Sequence, residues 1–326
     1  MKIIISGIMA AAVVLITACG GGGGDTTTAG IGGTGITASG PITGFGSVFV
    51  NGIEFETTDS AFSVDDNDIG VGEDNLRIGM VVTVTGTVND DGITGTADSI
   101  EFDHELEGPI SGTITDNGTT KTFEVLGISV EISDTTTSFD DNLTFANIAS
   151  GDVVEVSGQV DETGTLIASY IDSRDDPYQP GDEVEAKGVV SNLDTTAGTF
   201  DLVLAAGSIL VNYTVGTDLG DLPNDSLSNG QFVEVKGTLQ AGGAVPIDAT
   251  EIEAEGFEDS EDNVSLEGVI TDFVDASNFV VAGQPVNAST ADLSPDSLTL
   301  GDGLMVKVEG TVVNGVLMAE QVELED

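Results

Sequence analysis

The feature that most constrains this chain is a five-residue pattern, Val-x-Val-x-Gly, that returns four times in the same context. It stands at residues 82–86, 154–158, 233–237 and 306–310, and a glycine precedes each copy by three residues, at Gly79, Gly151, Gly230 and Gly303. Successive side chains of a strand point to opposite faces, so two valines two apart send one face into a core and the other out. The residues between the valines are Thr83, Glu155, Glu234 and Lys307. Charged side chains are seldom buried unpaired, so these are expected on the solvent side. Self-similarity at a near-constant period makes the repeat, rather than the chain, the unit to be understood.

Further signals keep the same order. Each copy ends on Ala-x-x-branched-acid, at Ala97, Ala168, Ala249 and Ala319. Between this ending and the valine pattern lies turn chemistry: Asn89 to Gly92, Asp161 to Gly164, Gly242-Gly243 and Asn314-Gly315. Such residues supply the positive φ angles of tight hairpins. A second set of turns falls at Asn51-Gly52, Leu126-Gly127, Ala206-Gly207 and Ala282-Gly283, and glycines inside apolar runs at Gly44, Gly112, Gly188 and Gly268 are expected to mark bulges. Each unit thus reads as five strands, with a connection between the third and fourth. That connection is expected to hold a short helical turn at most, with helix-start signals at 223–227 and 294–298, where a proline follows a capping position. A five-stranded closed sheet with that connection is the arrangement of a small OB-like β-barrel. Strands of about five to seven residues, with few aromatics, do not suit a transmembrane barrel, whose strands need about 9–11.

The valine strand, the Leu-x-x-Gly approach to it (Leu76 to Gly79), the Asn-Gly turn and the Ala-x-x-Ile-Glu ending resemble a bacterial domain family of unknown function. That family occurs as tandem repeats in proteobacterial lipoproteins. The resemblance implies a small OB-like barrel per repeat and imports no activity. The expected fold class is therefore all-β: four tandem five-stranded OB-like barrels, at 40–103, 108–173, 183–255 and 264–326. They are expected as two closer pairs or as a string of beads. Before them come a signal peptide, 1–18, and a flexible tether, 19–39, whose Gly and Thr composition cannot bury a core.

The N-terminal reading rests on Lys2 followed by an uncharged apolar run shorter than the roughly 20 residues of a membrane span. The run ends Leu15-Ile16-Thr17-Ala18-Cys19, which resembles the lipobox of bacterial lipoproteins. Cys19 is the single cysteine of the chain, so it has no disulfide partner within it and is the expected site of lipid attachment. Several acyl chains on one residue give stable anchoring where one gives marginal binding. Gly20, standing where an aspartate commonly retains such proteins at the inner membrane, implies by the same resemblance the outer membrane, facing either the periplasm or the exterior.

Asp and Glu number 57 against 7 Lys and Arg, a net charge of −50. Such a chain repels phosphate backbones, which excludes nucleic acid as a partner. Catalytic machinery is equally hard to assemble. His104 is the sole histidine and sits in the acidic joint 103–107, where a solvated linker residue is expected. Zinc sites need several Cys or His ligands, and with one of each in the chain none is expected to be assembled. Nothing marks a pair of carboxylates for glycoside hydrolysis, and sugar-binding aromatics are few. Oxygen ligands for calcium are densest at Asp65, Asp66, Asp68, Glu73 and Asp74, although the EF-hand spacing fails because Gly70 and Val71 fall at positions 5 and 6 from Asp66.

The sequence thus leads to the expectation of a lipid-anchored envelope protein without enzymatic activity or resident cofactor. It would act as a binding or spacer module for an envelope protein or a glycan. The alternative is a protein that binds divalent cations, calcium first, through its acidic connections.

Overall fold

The structure is a computed structural model. It describes residues 35–325, apart from 66–67, 141, 162, 175, 205, 221, 241–243 and 258–261. The signal peptide, Cys19 and all but the last residues of the expected tether lie outside the described residues, as does Asp66.

The first repeat comprises β1 (Gly35–Pro41), β2 (Val48–Val50), β3 (Ile53–Glu56), β4 (Ala61–Val64), β5 (Val81–Val88) and β6 (Thr94–Phe102). The second has β7 (Leu106–Asp116), β8 (Thr120–Val125), β9 (Ile128–Ser133), β10 (Ser138–Phe139), β11 (Val153–Val160) and β12 (Leu166–Ser173). The third has β13 (Glu183–Asp194), β14 (Thr199–Leu204), β15 (Gly207–Asn212), β16 (Phe232–Gln240) and β17 (Ala244–Ala254). The fourth has β18 (Asn263–Asp275), β19 (Asn278–Val281), β20 (Gln284–Asn287), β21 (Asp292–Ser294), β22 (Met305–Val313) and β23 (Val316–Leu324). The first barrel strand begins at Gly35, inside the segment expected to be tether.

Every repeat closes in the same way. In the second, β7 pairs antiparallel with β8 and β11, β8 with β9, and β11 with β12, while β9 closes the ring by running parallel to β12. The third and fourth repeat this order, and the first does so except that its opening segment meets β2 only through the bridge Gly44↔Phe49, beyond the end of β1. Closure leaves each small barrel without a free edge of its own. Three of the four opening strands are longer than the sequence suggests, reaching 13 residues in β18, because one strand serves two neighbours in succession, whereas β1 has seven residues.

The motif residues have geometric reasons. All eight valines of the four patterns are buried. The motif glycine faces the alanine of the ending across the ladder, as Gly86↔Ala97, Gly158↔Ala168, Gly237↔Ala249 and Gly310↔Ala319, and a bulge precedes it each time. A Cβ on Gly158 would lie 2.1 Å from the Ile167 carbonyl oxygen, so the strands meet too closely there for any side chain. The preceding glycine, Gly151, takes a φ of +93° and donates its N–H to the Ile110 carbonyl at 2.9 Å, and the other repeats copy this link.

Two local expectations are corrected. The equivalent glycines of the opening strands are Gly40, Gly108, Gly188 and Gly268, each opposite the first valine of its motif. Gly44 and Gly112 stand four residues later and are not their counterparts. The connections hold a short helical turn at most, as expected, and no α-helix occurs among the described residues, but the helix start at 294–298 does not form. The segment 223–227 holds a single 3-10 turn, Pro223–Asp225, and Ser294 ends β21, which runs parallel to β23. The connections bury apolar residues such as Leu76, Leu143 and Leu222 in the cores.

The repeats are not a string of beads but form two closer pairs. The first and fourth share one sheet through the parallel pair β1·β18, and the second and third share another through β7·β13. Further contacts complete the set: the Val81 N–H donates to Ser157 Oγ at 2.9 Å, Gln159 Nε2 to the Glu267 carbonyl at 2.9 Å, and the Phe257 N–H to Gln284 Oε1 at 3.3 Å. The described repeats form one unit, with a single apolar core running through the second and third.

Candidate functional site

Two places arise where the repeats meet. The first is the joint 103–107. Here the expectation of a solvated His104 is overturned: its side chain is 4% exposed. The joint is too short to loop away, and its backbone is pinned on both sides. The Glu105 N–H donates to the Val156 carbonyl at 2.8 Å, and the Glu105 carbonyl accepts from the Lys187 N–H at 3.0 Å. His104 is thereby carried between three barrels.

Around the imidazole stand carboxylates from separate strands. Register places Glu107 opposite both Glu155 and Glu185. His104 Nδ1 lies 2.9 Å from Asp65 Oδ1, and Nε2 lies 3.2 Å from Glu185 Oε2 and 3.7 Å from Glu107 Oε2. Arg174 pairs with the other oxygen of Glu107. Burial pushes the Glu107 carboxyl up to about 7 against the pull of His104 and Arg174, and burial also raises Glu155. For His104 burial works against the cation, yet the hydrogen bond to Asp65 and the pull of the nearby Glu185 carboxylate outweigh it and hold the ring well above its usual value.

A second charged seam lies beside it. Lys187, opposite Glu234 in register, also reaches Glu255 at 3.4 Å, and Lys236 reaches Glu234 at 3.0 Å and Glu253 at 3.1 Å. Glu234 therefore points out of its own barrel, as expected, but not into solvent: it is 3% exposed. Glu155 is half-buried for the same reason.

The second place is a cavity of about 700 Å³ bounded by residues of all four repeats. Its apolar lining includes Val160, Leu166, Val203, Phe232, Val269 and Val280, and Asp161, Asp272 and Asp302 line it as well. Several of these are outward positions that a solvated barrel would fill with polar residues. Val280 pairs with Thr271 where the second and third repeats have Glu124 and Asp201 in the same register.

Of the five acids expected to hold calcium, Asp65 enters a cluster with two further potential ligands, His104 and Glu155, among the described residues. Glu73 accepts instead from Thr57 Oγ1 at 2.5 Å, and the Asp74 carbonyl accepts from Arg77 at 2.7 Å. Asp68 is exposed. Sequence reasoning missed Glu107 and Glu185, since nothing local distinguishes them from other acids. One signal was available: Tyr170 occupies an outward position held by Ser99, Glu251 and Gln321 elsewhere, and it is buried in the core of the first repeat, edge-on to Phe102 with ring centroids 6.4 Å apart.

Among curated proteins none matches the chain. A family profile described as a domain of unknown function (DUF5666) does match, at 36–101, 107–172, 187–253 and 267–323. These limits coincide with the four barrels, each running from opening strand to final strand. The chain belongs to this family, as four tandem copies of its domain.

Proposed function

We propose that this protein is a lipid-anchored component of the bacterial envelope, held at the outer membrane through Cys19, and that it works by binding rather than by catalysis. The observation that carries the binding reading is the cavity of about 700 Å³ between the repeats. Its size falls within the roughly 300–1,000 Å³ typical of small-molecule sites. Its wall includes apolar residues at outward strand positions, among them Val203 and Val280, and it offers no histidine or cysteine to start a reaction. The occupant it suits is a small, largely apolar ligand or an apolar side chain of an envelope partner. The lipobox-like Ile16-Thr17-Ala18-Cys19 supports the anchor.

Native mass spectrometry of the full chain, purified in mild detergent from its own envelope, tests the binding. A retained small ligand that is lost in Val203→Trp, which fills the cavity, is the expected result. Equal occupancy in both forms refutes the cavity as the site. Metabolic labelling with a fatty acid tests the anchor. Cys19→Ser should abolish labelling and release the chain from the membrane fraction, and continued labelling would overturn it.

A further inference from the structure

We infer that the joint between the repeats holds one divalent transition-metal ion of the zinc class, bound by His104 Nε2, Glu107 Oε2 and Glu185 Oε2. This site is independent of the cavity and of what the cavity holds.

The argument begins with a buried atom. His104 Nε2 finds no hydrogen-bond partner, although its side chain is 4% exposed. A buried polar atom left without a partner is costly, and a native structure usually satisfies it. The two nearest carboxylate oxygens flank it instead of accepting from it. Their distances from Nε2, 3.2 and 3.7 Å, bracket the roughly 3.4 Å between ligands of a tetrahedral ion with bonds near 2.0–2.1 Å. Each of the three side chains brings one donor atom within 4.8 Å of the others.

The surroundings are those of a ligating histidine. Nδ1 is held by Asp65 Oδ1 at 2.9 Å, and a carboxylate on the far nitrogen fixes the ring and its tautomer, so that Nε2 presents its lone pair. Glu107 gives one oxygen to Arg174 and leaves Oε2 for the ion. Glu155 stands opposite Glu107 and adds negative potential. An imidazole with two carboxylates favours zinc, nickel or copper over calcium and magnesium, which take oxygen alone. Glu185, 14% exposed at its side chain, is the most open ligand and marks the side from which an ion and a completing water would enter. The rival occupant is a proton, with His104 as an imidazolium held among the carboxylates.

The test uses the full chain in detergent, stripped with chelator and titrated with zinc chloride in calorimetry at neutral pH. The expected result is one zinc per chain, at least tenfold tighter than calcium, with X-ray absorption showing one imidazole among nitrogen and oxygen ligands. His104→Gln and Glu185→Gln should each weaken binding tenfold or more, and Asp91→Asn, in an exposed hairpin, should not. Asp65→Asn tests the positioning role and should cost about 10–100-fold while the imidazole ligand remains. If His104→Gln does not fold, Glu185→Gln decides. No zinc uptake, binding unchanged in Glu185→Gln, or a shell without imidazole would each overturn the site and leave the proton as occupant.

Discussion

The side-chain amide of Asn51 donates to the backbone carbonyl of Ser265 at 3.0 Å, joining residues 214 apart in the chain. The same nitrogen lies 3.0 Å from the Ser39 carbonyl, so one turn residue clamps β1 and β18 together. Asn51 has a φ of +52° as the first residue of an Asn-Gly turn, a conformation asparagine tolerates. A local hairpin device thus also fastens the first repeat to the last.

Asn51→Gly keeps that backbone conformation and removes the clamp. It should cost about 1–3 kcal/mol, the range for leaving buried hydrogen-bonding groups unmatched. Hydrogen exchange should quicken at Ile36 to Ser39 and at Asn263 to Leu266, the paired segments. Unchanged exchange there would show that the clamp does not hold the seam.

Val156 is fully buried, and Val156→Ala should cost about 1–3 kcal/mol through lost burial and a residual cavity. Gly158→Ala should cost a similar amount for the opposite reason, since its methyl would meet the Ile167 carbonyl. Because the second and third repeats share one core, both losses should appear in a single unfolding transition covering the pair. Two separate transitions, with one unaffected, would contradict this.

Tyr170 lies on β12 but is 3% exposed within the core of the first repeat. Tyr170→Ala should cost about 3–5 kcal/mol, as other large aromatic truncations do. The loss should register as loosening of the first repeat rather than of the second, which carries the residue. Limited proteolysis with mapping of the first cleavage sites would read this, and initial cuts confined to the second repeat would refute it.

The buried joint makes stability fall with rising pH. Glu105, Glu107 and Glu234 are each pushed up to about 7, chiefly by burial, from the ordinary 4.5. Between those limits the folded chain holds more protons than the unfolded one, so the slope of stability against pH is negative. His104, facing Asp65, Glu107, Glu155, Glu185 and Arg174, is also raised; its contribution is complete below about 6.5 and is lost as pH rises through the folded value. In chelator and at constant ionic strength, the melting temperature should therefore drop steadily between pH 5 and pH 8. Glu107→Gln should flatten the slope. A melting temperature that climbs over this interval would refute the account.

Much of each barrel was legible before any coordinates. The Val-x-Val-x-Gly strands, the turns at Asn51-Gly52, Leu126-Gly127, Ala282-Gly283 and Asn314-Gly315, and the five-strand order all follow from neighbours within a few residues. The misplaced glycines show the limit of that reading. Gly44 and Gly112 look like Gly188 and Gly268 in sequence, yet the position is defined by which valine lies across the ladder, and that is a contact between strands.

The sequence by itself determined that each repeat is a β-barrel, because alternation of buried and exposed residues, turn chemistry and close strand approach are short-range demands that local residue choice satisfies. The tertiary structure alone decided what covers the outer faces. Glu155, Glu234, His104 and Tyr170 all point away from their own barrels, and in an isolated repeat each would meet water. Burial of an outward side chain depends on a neighbour that arrives from a distant part of the chain, as Ser265 does for Asn51. The energy of such a group changes sign with that neighbour: an exposed carboxylate costs nothing, whereas a buried one must find a partner. The joint at His104 exists because three barrels close on one another, and no single repeat encodes it.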